Sequence, residues 1–101
     1  MSETKPKKLT DEMLAEEMSS LPDWRLGIGG DSRELVRDFV FADFVAAMVF
    51  VNRLAEEAES AGHHPDIDIR YNKVRVALVT HDAGGITQKD VALARIANGL
   101  V

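Results

Sequence analysis

The chain contains no cysteine. That excludes disulfides, a thiolate nucleophile and cysteine-held zinc, and it suits a reducing cytosol. Long apolar runs are missing too. The longest, Phe44 to Val51, is eight residues, well short of the roughly 18 that suggest a membrane span. The N-terminus, Met1-Ser2-Glu3-Thr4, lacks the apolar core of a signal peptide. Basic charge is scarce: 12 Lys and Arg against 17 Asp and Glu leave a net charge of −5, where a nucleic-acid surface needs a basic stripe over the phosphates. Gly84-Gly85 lacks the spacing of a phosphate loop, and no strand–Gly-x-Gly–helix unit exists. These absences predict a soluble cytoplasmic protein that binds neither nucleic acid nor membrane.

What is present is an ordinary globular balance, 46% hydrophobic and 29% charged over 101 residues, enough for one domain with a modest core. Residues 1–8, with the basic cluster Lys5-Pro6-Lys7-Lys8, read as a flexible tail, and 9–101 as the single domain. Thr10 is a predicted N-cap, with Asp11 and Glu12 in the first turn and Leu9 and Leu14 at hydrophobic-staple positions. Pro22 ends that helix. Trp24, Leu26 and Ile28 alternate with Arg25 and Gly27 as a short half-buried strand, and Gly29-Gly30-Asp31-Ser32 is a turn. The next strand, about Glu34 to Phe41, alternates imperfectly, which calls for either a bulge or burial of both faces.

Asp43 should cap a helix running to about Ala61, with Gly62 as its left-handed end. Its first two turns are apolar nearly all round: Val45, Val49 and Phe50 cannot all face the sheet that Met48 and Val51 face. A homo-oligomer, at least a dimer, would cover the surplus. Ile67, Ile69 and Tyr71 alternate with Asp66, Asp68 and Arg70, Asn72-Lys73 makes a hairpin tip, and Val74, Val76 and Leu78 begin the return strand. Thr87 caps the last helix, with Ile86 and Val91 as its staple. The order α-β-β-α-β-β-α specifies an α+β fold, a four-stranded antiparallel sheet with helices packed on one face.

All three histidines fall between Glu59 and Asp90. Imidazole can both give and take a proton near neutrality, so three of them bracketing a hairpin, with a carboxylate at either end, suggest an acid/base site. Pro65 makes the segment at His64 extended, so the side chains of His63 and His64 diverge. Each candidate also has a structural alternative. His63 and His64 suit a helix C-terminus, Glu59 belongs to a wet face with Glu56 and Glu57, and Asp90 sits where an acid completes a capping box with Thr87. Trp24 reads as core, and Tyr71, Asn72 and Lys73 as turn and cross-strand packing.

The stretch Glu59-x3-His63-His64-Pro65 … Tyr71-Asn72-Lys73-Val74 … Thr80-His81-Asp82-Ala83-Gly84-Gly85-Ile86-Thr87 … Asp90 resembles the pterin-4a-carbinolamine dehydratase family, strongly over 59–96 and more weakly from about residue 9. The resemblance implies the same fold and a hydro-lyase that converts 4a-hydroxytetrahydropterin to quinonoid dihydropterin, recycling the pterin of aromatic amino acid hydroxylases. It implies His63, His64 and His81 as catalytic residues and Glu59, Pro65 and Asp90 as substrate-binding ones. No metal or redox cofactor is implied, pterin being the substrate. Two departures stand out: Gly62 replaces an acid common before the histidine pair, and Ile67 replaces a common aromatic. Two other readings compete. One is a non-enzymatic oligomeric interaction module or dimerisation cofactor, and the other a metal held by the histidines with Asp66 or Glu59.

Overall fold

The computed structural model describes residues 6–30 and 32–101, so the turn position Asp31 and the first five residues of the proposed tail lie outside the described residues. Helix α1 (Asp11–Ser19) leads to strands β1 (Arg25–Gly29) and β2 (Ser32–Val40), and α2 (Phe44–Ala61) leads to β3 (Asp66–Arg70) and β4 (Lys73–Leu78). A single 3₁₀ turn, His81–Ala83, precedes α3 (Gln88–Asn98). Apart from that turn, this is the expected order. The strands form one antiparallel sheet ordered β1-β2-β4-β3.

The sheet's inner face buries Leu35, Phe39, Val74, Val76 and Leu78 against Phe50, Leu54, Val91 and Leu93 from the helices. Each such side chain contributes about 1.5–3 kcal/mol of burial. Strand alternation sends Asp38 and Arg75 to the opposite face, where Arg75 Nε donates to Asp38 at 2.7 Å. No described helix is long and apolar enough to cross a membrane.

Local chemistry sets the element ends. Thr10 accepts the Met13 N–H at 3.2 Å, and Asp43 accepts the Ala46 N–H at 2.8 Å, each satisfying a helix donor that has no partner within its own helix. Gly62 ends α2 with φ +65°, a conformation that costs glycine little.

Four expectations change. β2 pairs with β4 in unbroken register from Leu35 to Val40, so there is no bulge. Both faces are buried only at Val36 (4% exposed), while Val40 is open at 69%. Val36 lies so close over Gly27 that a Cβ there would meet it at 2.8 Å. Leu26 and Ile28 are exposed at 41% and 81%, since β1 is an edge strand. Trp24, just before it, is the buried anchor: its ring meets Phe39 edge-on and its Nε1–H donates to Asn98 at 2.8 Å. The β3–β4 tip is Tyr71-Asn72, one residue early, with Tyr71 at φ +54°. Asn72 there donates its side-chain N–H to the Phe41 carbonyl. Finally, Phe50 belongs to the core beside Phe39. The apolar surplus of α2 is Phe44, Val45 and Val49 instead.

Candidate active site

Three chain segments meet at the open end of the β3–β4 hairpin, opposite the Tyr71-Asn72 tip. The first is the end of α2. Gly62 reverses the chain, the His63 N–H donates to the Ala58 carbonyl and the Gly62 N–H to the Glu59 carbonyl. These bonds fix where His63 and His64 leave the helix. The second is the end of β4, where Thr80 and Gly85 exchange backbone hydrogen bonds around the 3₁₀ turn that carries His81. The third is the first turn of α3, capped by Thr87.

His63 and Asp90 join these segments. His63 Nε2 lies 2.5 Å from Asp90 Oδ1. The imidazole is 11% exposed and the carboxylate 0%. Asp90 Oδ2 accepts the Thr87 backbone N–H at 2.9 Å and the Thr80 hydroxyl at 2.8 Å. Asp90 therefore does complete the helix cap, with one oxygen, while the other holds a histidine. Its carboxylate has no surface of its own, and of the groove's imidazoles it touches His63. A buried carboxylate is tolerable only when its lone pairs are satisfied this fully, and no buried side-chain N or O among the described residues lacks a partner.

His64 diverges from His63 into solvent. Its Nε2 meets Glu59 Oε2 at 2.8 Å, and the two side chains are 66% and 79% exposed. Glu59 thus supplies, from one turn back on α2, the neighbouring acid that Gly62 cannot. His81 is exposed. All three imidazoles line one groove of about 320 Å³, with Gly62, Thr80, Asp82, Lys89 and Pro6 among its other walls. That volume is at the lower end of small-molecule sites, about 300–1,000 Å³. Pro65 is half-buried and is not among the groove's lining residues.

Lys89 and Thr80 were not singled out by sequence reasoning. Each adjoins a residue that was, Asp90 and His81, but adjacency alone does not say which way a side chain points. Among the described residues, no three of His, Asp or Glu converge as metal ligands would. A larger concavity, about 500 Å³, lies against Asp38, Asp68, Arg70, Lys73 and Arg75 and touches no histidine. Four of those five charges pair with one another, as Arg75–Asp38 and Arg70–Asp68. The groove with the imidazoles is the better acid/base candidate.

Residues 7–100 match the family model described as Pterin 4 alpha carbinolamine dehydratase. A protein of Acidobacterium capsulatum named "Putative pterin-4-alpha-carbinolamine dehydratase" is 60% identical over 86% of this chain and 90% of its own length. One of the same name from Chloroflexus aurantiacus is 55% identical over 86% and 89%. Among solved structures, a transcriptional coactivator/pterin dehydratase from Brucella melitensis superposes with a TM-score of 0.86 at 34% identity, covering 93% of this chain and 98% of that one. A pterin dehydratase-like protein identified as a RuBisCO assembly factor in the alpha-carboxysome gives 0.64 at 25% identity, covering 77% and 88%.

Proposed function

The chain belongs to the pterin 4 alpha carbinolamine dehydratase family, and on that premise we propose that it is a hydro-lyase acting on 4a-hydroxytetrahydropterin in the histidine groove. The observation that carries the reading is the presence of His63, His64 and His81 together in one groove. Dehydration needs a proton delivered to the hydroxyl leaving C4a and a proton removed from N5. The products are water and the quinonoid dihydropterin, with no change of oxidation state to demand a redox cofactor or metal. Imidazoles suit both transfers. In this reading His63 contacts the leaving hydroxyl, its ring held by Asp90, and His81 works from the opposite wall. His64, steadied by Glu59, binds substrate or serves as a second acid/base. The biological role that follows is recycling of the pterin used by aromatic amino acid hydroxylases, in the cytoplasm.

The test is the decay of chemically generated carbinolamine with and without the protein. A general acid or base contributes about 10²–10⁴-fold, so His63→Ala and His81→Ala should each lower turnover by that order. If both variants are folded and as active as the parent, the site assignment fails.

A second reading has one structural observation in its favour: α2 leaves Val45 69% and Val49 45% exposed, with Phe44 at 48%. Such a face is suited to a protein partner. The RuBisCO assembly factor and the coactivator/dehydratase among the structural relatives are named for roles of that kind. We assign the face to a second copy of this chain, as a homodimer or homotetramer. Sedimentation at micromolar concentration should give an oligomer, and a stable monomer would reject the assignment.

A further inference from the structure

Two buried threonines, at the ends of the loop 80–87, have no part in the chemistry above. Thr80 is 7% exposed and Thr87 0%, and their hydroxyl oxygens lie 2.8 Å apart. A hydroxyl has one proton to give. The Thr80 proton goes to Asp90 Oδ2, so the Thr87 proton must fill the contact between the two threonines. Thr87 Oγ1 in turn accepts the Lys89 backbone N–H at 3.2 Å. The chain of donors therefore runs one way, from Thr87 to Thr80 to Asp90, and hydrogen bonds aligned like this polarise one another.

We propose that Thr80 is a positioning residue for His63. With Oδ2 taken by the Thr80 hydroxyl and the Thr87 N–H, Asp90 can present only Oδ1 to the imidazole. An ionised carboxylate only accepts, so His63 Nε2 carries a proton and Nδ1 is the nitrogen left to the groove. That nitrogen is an acceptor in the neutral ring and the donor to a leaving hydroxyl once the ring has taken up a second proton. The other charged or titratable groups lining the groove are His64, His81, Asp82 and Lys89. Asp90 is the group hydrogen-bonded to the His63 ring, so Asp90 sets its tautomer. Removing the Thr80 donor leaves Oδ2 with the Thr87 N–H alone. The carboxylate can then turn about its own axis, and the ring loses its fixed orientation. Partners of this kind behind a working histidine are worth about 10–100-fold in the metal sites where they have been dissected.

The test compares Thr80→Val, which keeps the shape and removes the donor, with Thr80→Ser, which keeps the donor. The first measurement is the ring ¹⁵N–¹H NMR spectrum of His63, identified by its loss in His63→Ala. The parent and Thr80→Ser should show a single, slowly exchanging Nε2–H tautomer. Thr80→Val should show mixed tautomers with faster exchange. In the dehydratase assay Thr80→Val should lose about 10–100-fold in kcat with little change in KM, and Thr80→Ser should recover it. A parent-like spectrum in folded Thr80→Val overturns the proposal. So does an Nδ1–H tautomer in the parent, a result that stands even if Thr80→Val does not fold. An unchanged kcat beside an altered spectrum overturns the link to turnover. The kinetic arm rests on the proposed dehydratase activity and the spectroscopic arm does not, so an inactive parent would reject that activity and leave the positioning claim to be decided by NMR.

Discussion

His63 and His64 are neighbours in sequence and do the same thing on paper: each offers Nε2 to a carboxylate, at 2.5 and 2.8 Å. Their surroundings make these two different devices. The partner of His64 is Glu59, on the helix that has just ended, and both side chains stand in water. The partner of His63 is Asp90, which arrives from α3 across the fold and has no exposed surface. The His63 ring is turned inward, 11% exposed, and the His64 ring outward, 66% exposed. An exposed ion pair is worth about 0–1 kcal/mol, whereas each buried donor left without its acceptor costs about 1–3. The contrast shows that a His–carboxylate contact says little until the medium around it is known.

The largest effect should come from breaking the buried member. Asp90→Ala strands the His63 Nε2–H, the Thr80 hydroxyl and the Thr87 N–H at once. Denaturant unfolding should show a loss of about 3 kcal/mol or more, since each buried donor left unpaired costs about 1–3, with turnover falling alongside it as His63 loses its orientation. A loss below about 1 kcal/mol would mean that water reaches this carboxylate, and the contrast between the pairs would collapse.

Breaking the exposed member should do far less. Glu59→Gln keeps the length and a hydrogen-bonding group but removes the charge. Stability should change by no more than about 0.5 kcal/mol, as for most surface substitutions. Any effect on turnover should shrink as salt is raised, because exposed charges are screened over roughly 10 Å at 0.1 M. If a folded Glu59→Gln protein lost about 100-fold in kcat at high salt, Glu59 would be touching the reacting molecule rather than steadying His64.

The sequence carried one of these pairs better than the other. The α+β order, the caps at Thr10, Asp43 and Thr87, and the left-handed end at Gly62 were legible because each depends on neighbours a few residues away. Asp90 was legible as a capping acid for the same reason. Its grip on His63 was not, since only the folded sheet brings residues 63 and 90 together. The motif spacing marked both residues without saying that they touch. Thr80 was hidden more deeply. It adjoins a histidine in a motif, and its role depends on a direction of proton donation that only burial enforces. The hairpin tip shifted by one residue because the left-handed position fell to Tyr71, an uncommon choice for that conformation. The edge position of β1 depends on sheet order, which alternation within one strand does not encode.

The smallest effect belongs to a third carboxylate, exposed like Glu59 but without a histidine, which isolates the contribution of exposure. Asp38 accepts from Arg75 Nε at 2.7 Å and from Arg25 at 3.2 Å on the bare face of the sheet, with its side chain 46% exposed. The Arg75 hydrogen bond, opposed by partial desolvation and helped by Arg25, holds its carboxyl below the usual carboxylate range. A carboxylate depressed in the folded state stabilises the protein above its unfolded value, about 3.9. That contribution is lost as the pH falls through the folded value. Asp38→Asn should therefore be slightly less stable than the parent at pH 6, by about 0.2 kcal/mol, the low end for exposed pairs. The difference should begin to shrink as the pH falls below the unfolded value and vanish only once it has passed through the lower folded value, where the parent's Asp38 is itself neutral. Denaturant midpoints at a series of pH values would show it. A difference that stayed constant to the lowest pH would mean that shape and packing, not charge, hold these strands side by side. Exposure would then be the wrong variable for separating Glu59 from Asp90.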